Sequence, residues 1–238
     1  MAKVLKVGTI LIALWAALFY VIYPAFEWYE STKPPFGSSP EDSYISIQGT
    51  KPKDAKVKAY GTFYGGGDSC EAFFVNGADG VKRDGSMVVL LSNYNFSGTK
   101  DRYELRVPYK NVTSNSCKMK LHRIVVDAEN DFDSVGFAEL RITQPIYDND
   151  MVVATSSIIE AKSCNSEVWQ WANKKNWSGA TECLFFVDGE VKTKEPEPNA
   201  YSIHMKFQDF SDDTIINYNI LAGENYRSKR LEQNVEFP

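Results

Sequence analysis

The chain has 238 residues, room for one large domain or two small ones at about 100–200 residues each. Hydrophobic residues at 43% are enough for a packed core, and 13% aromatic residues argue against a disordered chain. A net charge of −5 disfavours nucleic acid and anionic membrane surfaces, which select basic patches. It leaves a basic protein as an electrostatic complement, although the same acidity also serves plain solubility.

Val7 to Tyr23 form an uninterrupted apolar run, VGTILIALWAALFYVIY, with Lys3 and Lys6 ahead of it and Glu27 and Glu30 behind. A membrane-spanning helix takes about 20 apolar residues, with about 17 as the lower bound. Extended back to Val4, with Lys6 snorkelling, the span covers residues 4–24. The basic residues precede it, so the N-terminus is expected in the cytoplasm of a single-pass inner or plasma membrane protein. The bulk of the chain is then periplasmic in a bacterium, or extracellular. Tyr20, Tyr23, Trp28 and Tyr29 would form the outer aromatic belt. The competing reading is a cleaved signal peptide and secretion. Against it stand the length of the apolar run and Tyr23, where a cut after Ala25 wants a small residue.

The expected organisation is an anchor over 1–25, a Pro/Ser-rich linker over 26–43, a β-rich region over 44–144, and a second β-rich region, or a continuation of the first, over 150–224. A polar tail covers 225–238. Short strands are predicted at Tyr44–Gln48, Lys56–Phe63, Ala72–Val75, Met87–Ser92, Tyr103–Val107, Lys118–Val126, Val135–Ile142, Met151–Ile159, Leu184–Val187, Tyr201–Phe207 and Thr214–Leu221. Most alternate apolar and polar residues. Met87–Ser92 is a continuous apolar run and reads as a buried strand. Asn76-Gly77 and Asp188-Gly189 are hairpin-turn dipeptides. The series predicts a mainly β fold: an antiparallel β-sandwich, or two small β-units.

One stretch breaks the pattern. Glu167–Lys175, EVWQWANKK, places Val168, Trp171 and Ala172 at helical spacing behind a capping Ser166, and predicts a short helix. There is also a loose internal echo: KLHRIVVDAENDFDSVGFAELRI resembles SIHMKFQDFSDDTIINYNIL, each an alternating strand, an acidic turn and a second strand. Taken as a repeat, it would put a boundary near Gln144–Asp150.

The four cysteines, Cys70, Cys117, Cys164 and Cys183, include no CxxC pair. An even count outside the cytoplasm predicts disulfides, and near neighbours suggest Cys70–Cys117 and Cys164–Cys183.

No motif carries a catalytic signature, so no catalytic residue and no cofactor is expected. Asp127, Glu129, Asp131 and Asp133 space carboxylates at every second residue, a weak resemblance to a calcium loop. The pattern wants Gly at its sixth position and Glu at its twelfth, and Phe132 and Ala138 stand there. The glycines at 65–67 precede a strand rather than a helix, unlike a phosphate loop. His122 and His204 lie in predicted strands, where structural roles are usual. Sequons at Asn95, Asn111 and Asn176 matter only in a glycosylating host. Trp169, Trp171 and Trp177 cluster around the predicted helix and are the candidate binding residues, for a protein pocket or a sugar face. The leading expectation is a membrane-anchored, extracytoplasmic protein-binding module, immunity-type or envelope-accessory. The alternatives are a carbohydrate-binding protein and a carboxylate-dependent hydrolase using Asp131 and Asp133.

Overall fold

The computed structural model describes residues 15, 18–66, 70, 73–75, 82–114, 116–130, 136–147, 150–169, 178–193, 197–198, 200–223 and 226. Two compact units divide at residue 38. The first contains one short helix, α1 (Tyr23–Thr32), continuous with a π-helical turn at Leu18–Ile22. Its aromatic side chains, among them Tyr20, Phe26 and Trp28, are exposed. Helical structure thus reaches Thr32, into the stretch expected to be linker. Most of the expected membrane span lies outside the described residues. Among those described, no helix is long and apolar enough to cross a membrane.

The second unit is mainly β. In chain order its strands are β1 (Tyr44–Thr50), β2 (Ala55–Gly65), β3 (Phe73–Val75), β4 (Lys82–Asp84), β5 (Ser86–Ser92), β6 (Arg102–Pro108), β7 (Thr113–Ser114), β8 (Cys117–Asn130), β9 (Gly136–Thr143), β10 (Ile158–Trp169), β11 (Ser178–Val187), β12 (Glu190–Val191), β13 (Glu197–Pro198), β14 (Ala200–His204) and β15 (Ile215–Ile220). One sheet runs β12-β11-β10-β15-β1-β6, with β13 beside β11. The other runs β14-β9-β8-β2-β5, with β7 beside β8; β3 and β4 form a separate hairpin.

Alternation explains most of these strands. In β1 every second residue is buried, so Ile45 and Ile47 point inward while Ser46 and Gln48 face out. The inward residues of both sheets form one hydrophobic core, in which Tyr103, Tyr218, Phe63, Phe137 and Phe185 are the largest members. Two buried tyrosines tie it together. Tyr103 of β6 lies opposite Gly49 of β1, and its hydroxyl donates to the Tyr218 carbonyl on β15 at 2.6 Å. The Tyr218 hydroxyl donates to the Ala138 carbonyl on β9 at 2.5 Å, joining one sheet to the other. Buried hydroxyls without such partners would cost about 1–3 kcal/mol each. Gly49 is required here, because a Cβ would sit 1.9 Å from the Tyr218 carbonyl oxygen.

Four expectations need correction. Both sheets are mixed rather than antiparallel: β15 pairs parallel with β1 and with β10, and β14 pairs parallel with β9. The predicted helix is not present at its start, since Glu167, Val168 and Trp169 continue β10 and pair with Ala180, Gly179 and Ser178 of β11. Tertiary pairing has overridden a local helical pattern; the rest of that stretch lies outside the described residues. Met151–Ile159 is not one strand, because a turn closed by Ser157 N–H to the Ala154 carbonyl interrupts it and β10 begins at Ile158. The internal echo does not extend to structure: β8 and β9 are neighbours in one sheet, whereas β14 and β15 lie in different sheets.

Other expectations hold. Cys70 pairs with Cys117 and Cys164 with Cys183. Asp188 and Gly189, both at positive φ, form the two-residue turn between β11 and β12. The Asn76-Gly77 turn lies outside the described residues. Tyr226, in the expected tail, is buried against Phe137 and donates to the Asp54 carboxylate.

Candidate docking cleft

A cleft of about 370 Å³ opens where the β14 edge of one sheet meets the β11–β12 hairpin of the other. Its first wall is the loop before β10. The Asp150 carboxylate accepts the backbone N–H groups of Ile146 and Tyr147 at 2.7 and 2.9 Å, which pins Asp150 against the end of that loop's first half. Those two donors hold the Asp150 carboxyl below the usual carboxylate range. The next residues lie along β14: Val153 N–H donates to the His204 carbonyl at 2.8 Å. His204 is fixed in turn by a hydrogen bond between its Nδ1 and the Thr143 hydroxyl, 3.1 Å.

The opposite wall comes from the hairpin. Val187 ends β11, and Lys192 leaves β12 with its N–H donated to the Phe185 carbonyl at 2.8 Å. The Lys192 ammonium reaches back to Glu190 at 2.7 Å, and this bond raises it above the ordinary lysine range. Tyr201 crosses the cleft floor from β14 and stacks on Phe185 with ring centroids 5.2 Å apart. Backbone and side-chain bonds therefore set both walls before any ligand arrives.

The lining mixes apolar and polar residues: Met151, Val153, Val187, Tyr201 and Ile203 stand beside Asp150, Lys192 and His204. Met151 is 74% exposed, and on the same loop Ile146 and Tyr147, whose N–H groups Asp150 accepts, are 81% and 69% exposed. Single exposed apolar residues need no explanation, but three on one loop beside a concavity are more than a polar turn calls for. A cleft of this size, with an exposed apolar residue in its lining and a few fixed polar groups, has room for an inserted side chain.

A second concavity, about 460 Å³, lies between Thr155–Ser156 and the turn before β15. Among the described residues its lining is hydroxyls, Asp209, Asp213, Asn217 and Ile215, with no aromatic ring.

The residues singled out from sequence lie elsewhere. Trp169 ends β10, and Trp171 and Trp177 fall outside the described residues. Asp127 and Glu129 lie on β8 across from Lys58 of β2, which bonds Glu129 and stands 3.7 Å from Asp127. Burial pushes the Asp127 carboxyl up to about 6, with Glu129 and Glu139 adding like charge and Lys58 opposing. Asp131 and Asp133 lie outside the described residues. Among the described residues no cluster of three or more His, Cys, Asp or Glu side chains could hold a metal ion. His122 is exposed on β8, its ring edge-on to Tyr64 at 4.9 Å.

Sequence reasoning missed the cleft because its walls come from three separated segments. One signal was available: Ile146, Tyr147 and Met151 are large apolar residues in a stretch otherwise rich in Pro, Asp and Asn. No protein family, no curated protein and no solved structure is detectably similar to this chain.

Proposed function

We propose that the chain is a membrane-anchored, extracytoplasmic protein-binding module, immunity-type or envelope-accessory, that presents the seam cleft on a cross-linked β-sandwich. The observation that carries the reading is the exposed apolar surface on the loop wall of the cleft. Met151 in the lining, and Ile146 and Tyr147 on the same loop, remain largely exposed where a monomer gains nothing by exposing them. Supporting it are two disulfides, which persist in oxidising compartments, and the apolar run ahead of α1. The Asp150 carboxylate in the lining favours a partner with a basic group beside an apolar or aromatic anchor residue.

Affinity capture with the full-length chain tests this. The wild type should retain one stoichiometric protein from native membrane and envelope extract. Met151→Asp should lose it, by about 2 kcal/mol or more if the anchor residue sits in the cleft, with the melting temperature unchanged. Retention by Met151→Asp and Tyr147→Ala at wild-type levels would sink the cleft as the docking site.

A further inference from the structure

A strand at the edge of a sheet offers unpaired N–H and C=O groups to any other strand, and proteins normally block such edges. Among the described residues the two larger sheets end on β12, β6, β14 and β5, and the first three are blocked. The loop after β5 covers β6: Phe96 N–H donates to the Glu104 carbonyl, Asn95 accepts from Glu104 N–H, and Ser97 donates to the Arg102 carbonyl. β12 is only two residues long. The stretch around Val152–Val153 bridges to His204 of β14.

Among the described residues β5 has none of these devices, and only its last residue is tied elsewhere, the Ser92 hydroxyl donating to the Arg106 carbonyl of β6. Its seven residues, Ser86-Met-Val-Val-Leu-Leu-Ser92, contain no charge and no proline. Among the described residues, no strand pairs with its second edge. Val88 and Leu90 pack on the core. Met87, Val89 and Leu91 face outward at 57%, 49% and 52% exposure. In a two-layer fold the outward face of a strand is ordinarily polar, and the outward residues of the opposite edge strand, β6, are Arg102, Glu104 and Arg106.

We infer that β5 pairs antiparallel with β5 of a second copy of this chain, about a twofold axis at Val89. The segment is self-complementary in that register. Ser86 meets Ser92 of the second copy, Met87 meets Leu91, Val88 meets Leu90, and Val89 meets itself. A shift of the axis to Val88 or Leu90 would set a serine opposite an apolar residue. The strand is neutral, so self-pairing opposes no like charges, and one sheet would run through both copies. The contact is small beside the roughly 800 Å² per partner of a standard interface. Tethering two copies in one membrane supplies the effective concentration that such a contact needs. This surface is separate from the seam cleft, so the inference rests on the anchoring in the proposed function but not on the cleft.

Register-specific cross-linking in membranes from cells expressing the full-length chain tests the inference. Directly opposed residues have Cβ atoms about 4.5–5.5 Å apart, near disulfide reach, whereas two Met87 residues would lie about 13 Å apart. Under mild oxidation Val89→Cys should give a reducible dimer on the order of tenfold above Met87→Cys, and Met87→Cys with Leu91→Cys should also cross-link. Adding Leu91→Lys to Val89→Cys should abolish the dimer without lowering the melting temperature. Equal yields from Val89→Cys and Met87→Cys, or a Val89→Cys adduct only with a different protein, would overturn the inference.

Discussion

Substituting Gly49 by alanine isolates the contact that holds β1, β6 and β15 in register. The new Cβ would sit 1.9 Å from the Tyr218 carbonyl oxygen, 2.6 Å from its carbon and 3.2 Å from the Asn219 nitrogen. All three are backbone atoms, so no side chain can rotate away. β1 and β15 must part, at an overpacking cost of about 1–3 kcal/mol. Tyr103 reaches the Tyr218 carbonyl across this glycine, and losing that hydroxyl bond adds about 1 kcal/mol. The sum, about 2–4 kcal/mol, is a large share of a typical total of about 5–15 kcal/mol. For a unit of this size it corresponds to a fall in melting temperature of roughly 5–15 °C. Thermal melts followed by far-ultraviolet circular dichroism, without reductant, measure it. Gly98→Ala is the control: no atom lies within 4 Å of its Cβ, and only the positive φ opposes it, at about 1 kcal/mol. If Gly49→Ala melts no lower than Gly98→Ala, the crowding argument is wrong.

Tyr218→Phe deletes the hydroxyl that joins the two sheets and leaves the Ala138 carbonyl without it, so urea unfolding should show a loss of about 1–3 kcal/mol. Asp127 has a folded pKa of about 6, above its unfolded value, so the folded state binds a proton that the unfolded state has lost; stability should fall as pH rises from about 4 to about 6. Asp127→Asn should flatten that slope and add about 1 kcal/mol at pH 7.5, the shift being discounted for solvent screening; a less stable Asn variant at pH 7.5 would contradict the assignment. Removing Cys70–Cys117, whose ends are 47 positions apart, should cost about 4 kcal/mol, and removing Cys164–Cys183, 19 positions apart, about 3 kcal/mol. Paired Cys→Ala variants in denaturant melts would rank the two.

The strands were legible where a local rule generates them. Period-two burial marks β1 and β6, and Asp188-Gly189 marks its hairpin. The order of strands was not, because parallel pairing of β15 with β1 and β10 joins residues far apart in sequence and leaves no local trace. Residues 167–169 show the limit of periodicity. Val168 and its neighbours satisfy helical spacing, yet β11 lies alongside and Cys164–Cys183 holds the two strands at their base. β5 was misread in a more useful way. Its unbroken apolar run looked like a strand buried on both faces, but a two-layer fold covers only one. The residues left over, Met87, Val89 and Leu91, are the signal of a missing neighbour. The cleft was hidden for a different reason: Asp150, Lys192 and His204 come together only through the meeting of two sheets.

The position of β15 constrains how the protein can be made. It is the penultimate segment of the described chain, yet it lies inside its sheet, between β10 and β1. A ribosome delivers residues 44–50 long before residues 215–220. Until β15 arrives, β1 has only β6 beside it, Tyr103 lacks its acceptor, and the Ala138 carbonyl lacks its donor. The β2–β8 pairing and the Cys70–Cys117 link can form earlier, from sequence already released. Synthesis therefore yields a half-built layer with an open apolar face, and closing it waits on β15. A chain cut just before residue 215 would keep that open face, and quality-control proteases should clear it.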